Sequence, residues 1–179
     1  MTTKIGFCGS HCTGKTTLAR RLHEDMPDSY LVSGVARKYT PEDLKNSETQ
    51  QKILIDQMKQ EVFAKIRSDV VITDRTVVDN AAYLSNVCGL KSGYKVLALL
   101  HQWIDTYDVI FFCPIQNIPL IDDGFRHTDI TERNLIERRI KRYISILQQK
   151  HIGWVVWLSG SEDERYEKVR EVVGGLCGI

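Results

Sequence analysis

The stretch GSHCTGKTTLARRL, from Gly9 to Leu22, constrains this chain more than any other. Gly9, Gly14, Lys15 and Thr16 follow the spacing G-x-x-x-x-G-K-[ST]. The apolar run IGFC precedes the pattern and a helix-forming segment follows it. Between a buried strand and a helix, such a loop wraps a chain of phosphates. Its successive N–H groups turn inward onto phosphate oxygens, and the dipole of the following helix adds positive potential. Glycine serves where the backbone must come close or take a positive φ. The expected ATP-binding set is Gly9, Ser10, His11, Cys12, Thr13, Gly14, Lys15, Thr16 and Thr17. Lys15 would reach the β- and γ-phosphates, and the Thr16 hydroxyl would ligate Mg²⁺.

Strands and helices alternate along the rest of the chain. Continuous apolar runs predict strands at 4–9, 30–34, 69–73, 107–114 and 154–160. In QQKILIDQMKQEVFAKIRSD, the residues Leu54, Met58, Val62 and Ile66 recur every four positions, which predicts a long helix with those four inward. Thr40 or Ser47 would cap it. VVDNAAYLSNVCGL predicts a short helix ending near Gly89, and VLALLHQWIDTY a second. ERNLIERRIKRYISILQQK predicts a helix with Leu135, Ile136, Ile140, Ile144 and Leu147 inward. ERYEKVREVVGGL predicts a terminal one. Strands apolar on both faces fit an α/β architecture with a parallel sheet covered on two sides.

With 179 residues and no linker-like stretch, the expectation is one domain over 1–179. The net charge of +1 gives no global pull toward nucleic acid or anionic membrane. No apolar run approaches the roughly 20 residues of a membrane span, and MTTKIGF has no signal-peptide core. The five cysteines, at 8, 12, 88, 113 and 177, form no C-x-x-C pair. They read as free thiols in a reducing, cytoplasmic setting.

Beyond the loop, DVVITDR places Asp74 and Arg75 at the end of the third strand. Asp74 is the expected partner of Thr16 at the metal. Motor ATPases usually carry a water-activating glutamate at the position of Arg75, and no N-K-x-D guanine-reading motif is present. Asp-Arg at this point suits small-molecule kinases. IDDGFRHTDITERNLIERRIKR then places Arg126 beside Gly124 in a polar loop between the fourth and fifth strands, where it would act as a lid arginine on the transferred phosphoryl group. Arg133, Arg138, Arg139, Lys141 and Arg142 follow on a helix. Most of these belong to a charged outer face.

In this order of motifs the sequence resembles the P-loop kinase and ATPase family that includes the ribosylnicotinamide kinase domain of bifunctional nicotinamide-nucleotide enzymes. The resemblance rests on GSHCTGKTT, on GVARKY around Arg37, on TDRTVVDNAAYL, and on DDGFR ahead of a basic helix. LSGSEDERYEKV resembles the family's last strand and adenine-side loop. The resemblance implies a doubly wound, five-stranded parallel sheet of order 2-3-1-4-5, of the P-loop kinase type with an arginine-bearing lid. Ligands then bind at the carboxyl ends of the strands. The family often has an acidic residue near the end of its second strand, where this chain has Ser33-Gly34-Val35.

The reading is an ATP-dependent phosphotransferase acting on a nucleotide, nucleoside or similar small acceptor. Lys15, Asp74 and Arg126 are its catalytic residues, Thr16 and Asp74 its Mg²⁺ ligands, and Arg37, Arg75 and Asp79 its acceptor side. The two arginines and the missing acid favour a phosphate-bearing acceptor. One alternative is a kinase acting on a nucleic-acid end or base, with the basic helix 132–150 as a phosphate track. Another is a nucleotide-binding ATPase or regulator with no acceptor.

Overall fold

The computed structural model describes residues 2–116, 129–149 and 155–178. Five strands, β1 (Thr3–Cys8), β2 (Tyr30–Val32), β3 (Val70–Asp74), β4 (Val109–Phe112) and β5 (Val155–Trp157), form one sheet. Their order is β2-β3-β1-β4-β5, all neighbours parallel, so the doubly wound order 2-3-1-4-5 holds. Register places Phe7 beside Asp74 and Cys8 beside Phe112, which brings the ends of β1, β3 and β4 to one rim. Three strands are shorter than their apolar runs. Just before β4, the Asp108 N–H still donates to the Lys4 carbonyl at 2.9 Å, while its side chain accepts from the Lys4 backbone N–H at 2.7 Å.

Seven helices are described: α1 (Lys15–Asp25), α2 (Ser47–Arg67), α3 (Val77–Cys88), α4 (Leu90–Leu99), α5 (His101–Ile104), α6 (Ile130–Gln148) and α7 (Glu162–Cys177). Period-two alternation in the central strands builds a core on each face of the sheet. Ile5, Phe7, Val109 and Phe111 face α1 and α7. Cys8, Ile110 and Phe112 face α3, α4 and α6, with Ile136, Ile140, Ile144 and Leu147 of α6 buried against them. The segment predicted as one helix from Val96 divides into the end of α4 and the single turn of α5. Among the described residues, no helix is long and apolar enough to cross a membrane. All five cysteines are free thiols.

Helix α2 departs from its predicted face. Leu54 and Met58 pack against the core, but Val62 is 49% exposed and Ile66 79% exposed. The buried positions are Gln50, Ile53, Gln57, Glu61 and Ala64. The reason is polar: the Glu61 carboxylate accepts from Trp103 Nε1 at 2.8 Å, Tyr107 Oη at 2.7 Å and Gln57 Nε2 at 2.8 Å, and pairs with Lys4. This buried cluster turns the helix away from its most apolar stripe. The cap also differs, because Asn46 accepts from the Glu48 N–H at 2.8 Å in place of Thr40 or Ser47.

Candidate phosphate-loop site

The loop after β1 turns because its glycines allow it. Gly9 has φ 153° and Gly14 φ 83°, and a Cβ on Gly9 would lie 2.4 Å from the Cys113 carbonyl oxygen. The Gly9 N–H donates to Asp79 Oδ1 at 2.9 Å, and Thr13 Oγ1 donates to the Ser10 carbonyl at 3.0 Å. Outward carbonyls of the loop are held by two buried arginines. Arg133, in the first turn of α6, donates through Nε to the His11 carbonyl at 3.1 Å and through Nη2 to that of Cys12. Arg165, in the first turn of α7, donates to the Thr13 carbonyl at 3.2 Å, to the Gly160 carbonyl at 3.0 Å and to Gln116. Ser10 Oγ returns a hydrogen bond to the Arg133 carbonyl at 2.9 Å.

Lys15 opens α1 and is almost fully buried. Its ammonium donates to the Ser10 carbonyl and to Thr13 Oγ1 at 3.2 Å. Burial, and next the positive charge of Arg75, bring its pKa down to about 8. Thr16 Oγ1 donates to Asp74 Oδ2 at 2.7 Å, so the two expected metal-side residues meet across β1 and β3. Thr17, the last residue of the expected set, is exposed on α1.

Arg75 follows Asp74 with φ 99°, a strained conformation for a long side chain. Two hydrogen bonds hold it: its N–H donates to the Phe7 carbonyl at 3.1 Å, and Gln57 Nε2 donates to its carbonyl at 3.2 Å. The guanidinium then lies 5.0 Å from the centre of the Tyr83 ring. Arg37 stands in a 3-10 turn, Val35–Lys38, just past Gly34. A Cβ on Gly34 would come within 3.7 Å of Asp74 Oδ2 and 4.0 Å of Arg75 Nε, so the end of β2 lies directly against the Asp-Arg pair.

A cavity of about 370 Å³ opens there, with Arg37, Asp74, Arg75, Asn80, Tyr83 and Asn86 in its wall. Arg37 and Arg75 thus share one cavity with Asp74. Asp79 does not join them, which corrects the acceptor-side expectation for this residue. It is fully buried, and its second oxygen accepts from the N–H and the hydroxyl of Thr76 at 2.8 and 2.9 Å. Together with its bond to Gly9, this makes Asp79 the third helical residue that closes the capping box on Thr76, the N-cap of α3, and a brace for the phosphate loop. Arg126 lies outside the described residues.

Of the basic residues of α6, Arg138 and Arg142 are exposed and the other three are engaged within the fold. Arg133 is buried under the loop, Arg139 donates to Asn86 Oδ1 at 2.9 Å, and Lys141 pairs with Glu137 at 2.6 Å. Asn86 in turn donates to Glu132 at 2.8 Å, joining α3 to the start of α6. Sequence reading missed Asn80, Tyr83 and Asn86. Their signal is the spacing of one and two helical turns along α3, on the face that follows the Asp-Arg pair.

A family model described as AAA domain matches residues 4–165. No curated protein matches the sequence. Among solved structures, the NadR protein crystallised in complex with NR superposes with a TM-score of 0.78 at 22% identity. That alignment covers 99% of this chain and 52% of the NadR chain, so this chain spans about half of it. Deoxyadenosine kinase from M. mycoides, with products dCMP and dCDP bound, gives 0.70 at 12% identity over 97% of this chain and all of that one. Thymidylate kinase from Candida albicans gives 0.70 at 12% identity, over 97% and 92%. At these identities the likeness is one of fold.

Proposed function

The chain belongs to the AAA domain family, and we propose that it moves the γ-phosphate of ATP to a nucleotide, nucleoside or similar small acceptor. The observation that carries this reading is the 2.7 Å hydrogen bond between Thr16 and Asp74. It joins the phosphate loop to a cavity holding two arginines, so donor and acceptor would meet at one rim. The fold is shared with nucleoside and nucleotide kinases whose chains bind such molecules. A reaction of this kind needs positioning and charge neutralisation more than covalent help.

In this reading, Lys15 exchanges the Ser10 carbonyl and Thr13 hydroxyl for oxygens of the β- and γ-phosphates. Its lowered pKa reflects a cation held ready in a dry site, and an arriving polyphosphate raises it again. A hydroxyl and a carboxylate are hard oxygen donors that suit Mg²⁺. Among the described residues there is no cluster of three or more His, Cys, Asp or Glu side chains for a metal. Thr16 and Asp74 would therefore hold the ion together with phosphate oxygens and water. When bound, Mg²⁺ supplies charge neutralisation along the phosphate chain. Arg37 and Arg75 then orient an anionic or hydroxyl-bearing acceptor, and Arg126 would close on the transferred group. The five free thiols fit a reducing cytoplasm.

The test is a panel of nucleosides, nucleotides and oligonucleotides incubated with γ-labelled ATP. Label should pass to a small acceptor, and Lys15→Ala should lower transfer about a hundredfold or more with the fold intact. Near wild-type transfer by Lys15→Ala, or ATP turnover that no acceptor stimulates, would overturn the reading.

A further inference from the structure

Arg165 is a buried cation with no acid beside it. It is 2% exposed, and its guanidinium rests on three neutral oxygens: the carbonyls of Thr13 and Gly160 and the side-chain oxygen of Gln116. Among the described residues no carboxylate pairs with it. The three acids in the first turn of α7 are engaged elsewhere, Glu162 and Asp163 with Arg21 and Glu164 with the Ser161 N–H. A charge held out of water by dipoles alone is costly, and an anion arriving nearby offsets that cost.

The three oxygens belong to three segments of one rim. Thr13 lies in the phosphate loop after β1, Gln116 in the segment leaving β4 and Gly160 in the turn leaving β5. The Gly160 N–H donates to Gln116 Oε1 at 3.1 Å, so those two segments are tied to each other as well. Thr13 is gripped from both sides, by Lys15 on its hydroxyl and by Arg165 on its carbonyl. Burial pushes the Cys113 thiol up to about 12, and the charges of Lys15 and Arg165 both oppose that rise, so the two cations act on one small region. Arg37, Asp74 and Arg75 stand on the β2–β3 side of the loop. A triphosphate whose γ end lies there leads its other end toward β4 and β5, the side that Arg165 holds.

We infer that Arg165 is a positioning residue for the phosphate donor, which joins the phosphate loop to the turns facing the donor's nucleoside end and so makes the two ends bind as one site. This rests on the donor reading of the loop. Charge and fork act separately. The charge favours any polyphosphate in the loop, whereas the planar fork of donors fixes the loop against Gly160 and Gln116. Lysine keeps the first and loses the second.

The experiment measures binding of MgATP and of magnesium tripolyphosphate by calorimetry without acceptor and, separately, transfer from labelled ATP. The wild-type protein should bind ATP more tightly than tripolyphosphate. Arg165→Lys should leave tripolyphosphate affinity within about threefold and lower ATP affinity about tenfold, because a point charge cannot span three acceptors. Gln116→Glu keeps the accepting oxygen but neutralises the charge, so it should weaken both ligands by a similar factor and leave their ratio in place. A merely structural arginine would lower the melting temperature of the free protein in Arg165→Lys and leave the ratio unchanged. That result, or equal wild-type affinities for the two ligands, would overturn the assignment. Should Arg165→Lys fail to fold, Gln116→Ala, which cuts one arm of the fork, is read by the same ratio. The expected ratios without transfer to any acceptor would remove the kinase reading and keep this one. Transfer with an unchanged ratio would do the reverse.

Discussion

Asp79 shows how far a residue's sequence neighbourhood can mislead about its task. It stands four residues past Arg75, yet both of its oxygens are turned away from the cavity onto Gly9 and Thr76. Asp79→Ala would strand the N–H groups of Gly9 and Thr76 in the interior, at a cost of about 3 kcal/mol. Asp79→Asn, which keeps one accepting oxygen, should lower the melting temperature less and reduce turnover through a loosened loop. The acceptor KM should stay near wild type. A rise in acceptor KM with an unaltered melting temperature would return Asp79 to the acceptor side. The placement of Lys15, Thr16 and Asp74 at one rim was legible, because each is tied to a strand end by short-range spacing. Asn80 was not. A polar residue on a helix has the same local pattern whether it faces a cavity or water, and only the position of α2 opposite makes it buried.

Among the elements, α6 has a second task beyond covering the sheet. Its apolar stripe was readable at a period of 3.6 residues, and Ile136, Ile140, Ile144 and Leu147 are buried as that stripe requires. The use of Arg133 was hidden by the same pattern, since an arginine among five basic residues looks like part of a solvated face. Its guanidinium instead holds the outer carbonyls of His11 and Cys12, which keeps the phosphate loop from turning inside out. Arg133→Met preserves the helix and its length but frees those carbonyls. Steady-state kinetics should show KM for ATP raised about tenfold or more, because small misplacements of a positioning loop are expensive. An unchanged ATP KM would mean that the bonds from Gly9 and Thr13 are sufficient for the loop. α2 failed the same periodic test for a different reason. The second half of its apolar stripe, Val62 and Ile66, faces outward because Gln57 and Glu61 are required inside, and no count of hydrophobic residues contains that requirement.

Across the molecule, the sheet has two poles with opposite chemistry. The alternation of elements made the parallel α/β class readable and the family resemblance the strand order, and the rim at the carboxyl ends gathers the phosphate loop, Asp74 and Arg37. The other pole was illegible, because Lys4, Glu61, Trp103 and Tyr107 are far apart in sequence and ordinary in type. Lys4, near the start of β1, is buried against Glu61, donates to Thr106 Oγ1 at 2.7 Å, and lies 3.9 Å from the centre of the Tyr107 ring. Burial lowers its pKa from 10.5, the Glu61 charge and, more weakly, Asp108 oppose that fall, and Lys65 adds to it. Glu61→Gln removes the main opposing charge and offers one oxygen to the four donors Lys4, Gln57, Trp103 and Tyr107, so it should cost about 3 kcal/mol at neutral pH. The pH dependence fixes the cause. A lysine with a depressed folded pKa makes the folded state bind fewer protons than the unfolded one, so stability rises with pH up to 10.5. In Glu61→Gln the folded pKa falls further, so the variant recovers more on going alkaline than the wild type does. Tyr107, raised by burial and then by Glu61, stays neutral over that window. Urea unfolding at neutral pH and again just below 10.5 should therefore show the gap between the two proteins narrowing. A gap that stays constant would mean that Glu61 stabilises this pole through its hydrogen bonds to Trp103 and Tyr107, with no contribution from its charge.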